Sequence, residues 1–158
     1  MRDGRHLRRD IELAEVSDDE LRDIADVFDC LIGDMKRAAA ARSLRFGPTA
    51  VSKVLFALRP RLFPAWDSAI RAALVEGEDS GEAYVRYVVR LRNDVCGVAR
   101  HGEELGLTHL PAVLCPSRRA TMAQLMGEYY WVTVTRRVRL PLLQRRRDWA
   151  AWSAGPAD

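Results

Sequence analysis

The strongest constraint in this sequence is a period. Behind Ser17-Asp18-Asp19-Glu20, apolar residues return as Leu21, Ile24, Ala25, Phe28, Leu31, Ile32 and Met35. That is the i, i+3, i+4, i+7 spacing of one helix face. The tetrad before it reads as a capping box, a hydroxyl at the N-cap and a carboxylate three residues on. Asp18, Asp19 and Glu20 then fall in the first turn, where the helix dipole favours anions. The pattern predicts an amphipathic helix of about six turns, ending near Arg42.

The rest of the chain continues in helical segments. Phe46-Gly47-Pro48-Thr49 is a turn, and Val51, Val54, Leu55 and Leu58 form the stripe of a second helix that Pro60 stops. Residues 61–66 follow Pro60 and contain Pro64, and are predicted non-helical, with Asp67 as the N-cap of a third helix over 68–75. Tyr84, Val88, Leu91, Val95 and Val98 mark a fourth helix reaching toward His101. Residues 107–117, with Pro111 and Pro116, read as a loop. A fifth helix over 121–131 is expected to turn Met122, Leu125, Met126 and Tyr129 inward. Residues 132–158 read as an extended arm or a short last helix. The alternation of Val132, Val134, Val138 and Leu140 has no partner strand. The prediction is an all-α single domain of five or six helices. It has an N-terminal arm at 1–16 with an Ile11/Leu13/Val16 patch against the body, a helical body at 17–131, and a basic C-terminal arm at 132–158.

Composition narrows the class. The chain has 158 residues, 48% hydrophobic and 30% charged, a folded and not a disordered balance. The longest run without Asp, Glu, Lys or Arg is 105–117, too short for a membrane helix, and no apolar leader follows Met1, so a cytoplasmic protein is expected. Cys30, Cys96 and Cys115 are scattered, and His6, His101 and His109 show no ligand spacing, so neither a metal nor a cofactor is predicted. Of the 25 basic residues only Lys36 and Lys53 are lysine, a bias that points to a GC-rich bacterial genome. The charge is segmented: residues 10–35 carry −9 and residues 36–71 carry +7. The second segment is the one that would attract phosphate.

That basic segment contains Gly47-Pro48-Thr49-Ala50-Val51-Ser52-Lys53-Val54-Leu55 and Pro60-Arg61-Leu62-Phe63-Pro64-Ala65-Trp66-Asp67-Ser68-Ala69-Ile70-Arg71. These stretches resemble the core of the helix-hairpin-helix DNA glycosylases: a glycine-containing hairpin, an apolar helix, a proline-containing loop, and an aspartate that opens the next helix. Gly47 matches the hairpin glycine, Asp67 follows 20 residues later, and Ser68, Ile70 and Arg71 echo the residues after the aspartate. The resemblance covers about a sixth of the chain and implies a helix-hairpin-helix-like core that acts on or binds DNA. Backbone N–H groups at the hairpin would meet a phosphate. Asp67 would stabilise the cationic sugar left as a base departs, or activate water. The lysine that bifunctional members carry two residues after the hairpin's second glycine falls on Thr49, so the resemblance implies monofunctional chemistry.

The residue types themselves leave several readings open. Asp67 and Lys53 are candidate catalytic groups, Asp67 also as a plain helix cap and Lys53 as a phosphate or sugar contact. Glu128 is a candidate general base or orienting carboxylate beside the aromatic run Tyr129-Tyr130-Trp131. Gly47, Thr49, Arg59, Trp66, Arg71, Tyr129 and Tyr130 are candidate binding residues, the arginines for phosphate or carboxylate and the rings for stacking. One alternative is a small-molecule enzyme in which Lys53 and Asp67 form an acid–base pair in a pocket lined by Trp66, Tyr129 and Tyr130. Another is a non-enzymatic interaction module joining partners through the acidic helix and the arm at 136–147, which holds six arginines.

Overall fold

The computed structural model describes residues 11–40, 46–117 and 119–139. These residues are mainly helical, and no strand occurs among them, as the periodicity predicts. A 3-10 turn, Leu13–Glu15, precedes α1 (Asp18–Ala40), α2 (Pro48–Leu58), α3 (Ser68–Val75), α4 (Gly81–Glu104), α5 (Leu110–Leu114) and α6 (Met122–Tyr130). The last helix runs on into a π turn, Trp131–Thr135.

The predicted capping box opens α1. The Ser17 amide and hydroxyl both donate to Glu20 Oε2, at 2.9 and 2.8 Å, and the Glu20 amide donates back to Ser17 Oγ at 3.3 Å. This reciprocal pairing buries Glu20 without stranding its charge. The Ile11/Leu13/Val16 patch does pack on the body, with all three residues buried. The Leu13 amide donates to the Arg61 carbonyl at 3.0 Å, and Arg92 Nη1 donates to the Val16 carbonyl at 2.7 Å.

Helix α4 is the spine. It packs against α1, α3, α6 and the 3-10 turn, while α2 lies on α1 and α5 on α6. The approach of α1 to α4 is close at Gly81: a Cβ there would stand 2.3 Å from the Ala25 carbonyl oxygen. Asp29 uses that proximity, accepting the Gly81 amide at 2.7 Å and so supplying a cross-helix cap beside the Ser80 hydroxyl.

The core is aromatic at its centre. Phe28 and Tyr84 stack with ring centres 4.3 Å apart, and Trp66 meets both edge-on at 5.7 and 5.1 Å. Ile24, Val51, Leu55, Leu62, Val88 and Leu91 close around them.

Two segments depart from the sequence reading. Residues 110–114, expected within a loop, form the short α5. Pro111 is tolerated there because it stands in the first turn, where its missing N–H costs nothing. Residues 132–135, expected in an arm or short last helix, join Trp131 in a π turn that prolongs α6 and ends where Arg137 turns left-handed, φ 54°. Most of the arginine-rich arm lies outside the described residues.

Candidate functional site

The loop that joins α2 to α3 is buried, which is unusual for a connection. Leu62, Phe63, Pro64 and Trp66 are all inside. Buried carbonyls need donors, and three side-chain hydroxyls serve this loop. Tyr84 Oη donates to the Pro64 carbonyl at 2.8 Å and Tyr87 Oη to the Ala65 carbonyl at 2.9 Å. Ser52 Oγ lies 3.2 Å from the Trp66 carbonyl and accepts the Trp66 amide at 3.2 Å. It also lies 3.0 Å from the Thr49 carbonyl, so its one proton serves one carbonyl at a time. The Trp66 indole donates to the Pro48 carbonyl at 3.2 Å, tying the loop to the first residue of α2. Burial pushes the phenol groups of Tyr84 and Tyr87 well above the ordinary tyrosine range. Tyr84 is raised further by Tyr87, and Tyr87 by Tyr130 and the Asp67 charge.

The pinned loop delivers Asp67. As predicted, Asp67 is the N-cap of α3, and its Oδ1 accepts the Ile70 amide at 2.9 Å. Its Oδ2 accepts the Thr135 hydroxyl at 2.7 Å. In front of Asp67 opens a cleft of about 320 Å³. Lys53, Asp67 and Glu128 all line it, so the three candidate catalytic residues meet in one place. Lys53 and Phe56 come from α2, the 64–67 stretch forms the floor, and Gln124, Gly127, Glu128 and Trp131 form the far wall. Among the described residues lining the cleft, Lys53 is the only cation. Arg136 sits over the Trp131 ring at 5.4 Å.

The candidate binding residues divide. Trp66 lines the cleft, although it is 1% exposed and mainly a core residue. Gly47 and Thr49 are near the loop through the Pro48–Trp66 bond but do not line the cleft. Gly47 has an extended φ of −123° with nothing near a Cβ, so neither conformation nor crowding requires glycine there. Arg59 ends α2 over the Phe63 ring at 5.9 Å, and Arg71 lies one turn along α3 with its Nε buried and without a hydrogen-bond partner among the described residues. Neither reaches the cleft.

Tyr129 and Tyr130 belong to a second cleft, about 860 Å³, on the other side of α6. This corrects the expectation that both line a pocket with Trp66. The reason is rotational: residues 124, 127, 128 and 131 share one face of α6, and 122, 125, 126 and 129 share the opposite one. Met122, Leu125, Met126 and Tyr129 line this groove, Met122 and Met126 packing partly buried against the core as expected and Tyr129 exposed, while Ala123 and Tyr130 are the buried residues of α6. Tyr130 Oη donates to Asp94 Oδ2 at 2.5 Å and accepts from Arg90 Nε at 3.1 Å. Burial and then the Asp94 bond raise its ionisation above the usual range.

Phe56, Gln124, Trp131 and Thr135 join the site without having been singled out in the sequence for this cleft. The only available signal for the α6 members was their i, i+3, i+4 spacing from Gln124, which the more apolar opposite stripe masks. No group of His, Cys, Asp and Glu among the described residues could hold a metal ion. No helix among them is long and apolar enough to cross a membrane.

Comparison with curated proteins and with solved structures returns no match. A family model does match over residues 5–108, which contain Lys53, Asp67 and the pinned loop but not α6. The chain therefore belongs to a family of unknown function, DUF6308.

Proposed function

We propose that the cleft receives one nucleotide extruded from DNA and hydrolyses its N-glycosidic bond, in the manner of a helix-hairpin-helix DNA glycosylase. The observation that carries this reading is the meeting of Lys53, Asp67 and Glu128 in a single cleft that also holds Trp66 and Trp131. A space of about 320 Å³ suits one base with its sugar and not a duplex, so the nucleotide must leave the stack. The base departs with the bonding electrons and takes up a proton from solvent water, which the proton lost by the attacking water later replaces. Positive charge grows on the sugar beside the Asp67 carboxylate. Water adds to the anomeric carbon, giving its proton to Glu128, and Lys53 holds an adjacent phosphate or the sugar. No amine adduct forms, so the chemistry is monofunctional.

A second reading has its own support. With Lys53 as the only cation among the described cleft-lining residues, the site also fits a small metabolite, on which Lys53 and Asp67 would act as an acid–base pair.

One experiment separates them. Duplex affinity is measured against salt for the full chain, and base release is followed on duplexes carrying damaged bases. The DNA reading expects affinity to fall at least about tenfold between about 50 and 200 mM salt, the loss that neutralising two phosphates gives. It also expects Asp67→Asn to slow release by about a hundredfold or more. Salt-insensitive binding with no base release overturns it. Borohydride trapping of Lys53 by a small carbonyl compound, without any adduct on an abasic duplex, then favours the metabolite enzyme.

A further inference from the structure

Thr133 and Thr135 stand two residues apart at the end of the same helix and use their hydroxyls differently. Thr133 Oγ1 donates back to the Tyr129 carbonyl at 2.7 Å, the local bond that helical threonines ordinarily make. Thr135 Oγ1 donates instead to Asp67 Oδ2 at 2.7 Å, across 68 residues of sequence. The local acceptor open to Thr135 would be the Trp131 carbonyl, which already accepts the Arg136 amide at 2.9 Å in the π turn. π turns within helices recur at functional sites.

The remote bond rests on a fixed support. The Thr121/Gln124 capping box sets the start of α6, and the grip of Arg90 and Asp94 on Tyr130 sets its rotation. Beyond Thr135, the left-handed Arg137 and the Val138 amide bonded to the Val132 carbonyl at 3.1 Å close the end of the turn.

A helix cap holds one carboxylate oxygen. Here the Ile70 amide holds Oδ1, and the broad torsion of an aspartate carboxyl would leave Oδ2 free to sweep. We infer that Thr135 is the positioning residue for Asp67, holding Oδ2 so that the carboxylate meets the cleft in one orientation. Each oxygen keeps a further lone-pair site for a cationic ligand group. The inference rests on the reading of Asp67 as the carboxylate that faces the positive sugar, and it extends the site into a helix beyond residues 5–108.

The test uses the full chain and two probes: a duplex with one nucleotide sugar replaced by a protonated pyrrolidine, and the same duplex with a neutral tetrahydrofuran. The readout is the ratio of the two affinities. Thr135→Val is expected to lower the preference for the cation about tenfold. Thr135→Ser should restore it to within about threefold, with affinity for the neutral duplex unchanged in both. A merely structural role would lower both affinities together, and serine would not rescue selectively. An unchanged ratio in Thr135→Val overturns the inference. In the free protein, a slowly exchanging Thr135 hydroxyl proton with a cross-peak to the Asp67 carboxyl carbon reports the contact directly. Absence of that cross-peak beside an intact cation preference rejects the role of Thr135 alone. A wild-type protein with no cation preference rejects the glycosidic reading and the positioning role together.

Discussion

At the scale of single residues, the site depends on polar groups placed where few would be expected. Ser52 is fully buried on the inner face of α2, between Val51 and Leu55. Among the described residues its hydroxyl alone accepts the Trp66 amide. Ser52→Ala therefore strands a buried N–H and is expected to cost about 1–3 kcal/mol, read as a lower urea midpoint with an unchanged slope. Asp67 was legible as a cap because an aspartate after a proline loop and before an apolar run has few other uses. Ser52, Tyr84 and Tyr87 were not legible as loop donors. Their carbonyl partners stand 14, 20 and 22 residues away, and nothing in the local pattern around each hydroxyl reports them. Thr135 is the extreme case, with its acceptor 68 residues off.

At the scale of elements, legibility followed periodicity. The 68–75 helix falls where a cap and a short apolar run place it, and α1 begins at its capping box. The α5 segment was missed because two prolines outweighed a run too short to show a period. The inward face of α6 was legible in part: Met122 and Met126 do pack against the core, whereas Tyr129 is exposed, and the flank of Gln124 and Gly127 that lines the cleft carries no apolar signal. The α1–α4 contact also escapes the sequence, since a glycine that opens a helix is not distinguishable from one that touches another helix. Gly81→Ala tests that contact. The added Cβ meets the Ala25 backbone oxygen, which cannot rotate away, so the helices must separate at a cost of about 3 kcal/mol. Equilibrium urea unfolding measures it, and a change below about 0.5 kcal/mol would show the approach to be looser than described.

At the scale of the whole molecule, three tyrosines with raised ionisation share one core: Tyr84, Tyr87 and Tyr130. Each is raised first by burial, so the folded chain keeps protons that the unfolded chain releases near pH 10. Their contribution to stability is complete below that pH and is lost as pH rises through and beyond it. Unfolding free energy should decline above pH 10 by up to about 1.4 kcal/mol per pH unit for each of Tyr84 and Tyr87, and by less for Tyr130, whose ionisation Arg90 favours. Phenolate absorbance from Tyr84, Tyr87 and Tyr130 should rise late, together with loss of helical signal. An early rise with the helix intact would place the rings nearer solvent. The segmented charge was visible in sequence, and α1 carries seven of its acids with only Glu20 buried. The cleft was visible only as residue types, since shape is a property of packed helices and not of spacing.

Helix α6 has a nine-residue span, and its two flanks look into different hollows. It is a partition with a room on each side. Any roll about its own axis must alter both rooms at once, and Tyr130 is the pivot against which that roll would occur. Whatever lodges beside Met126 thus has a mechanical bearing on how Glu128 stands behind it.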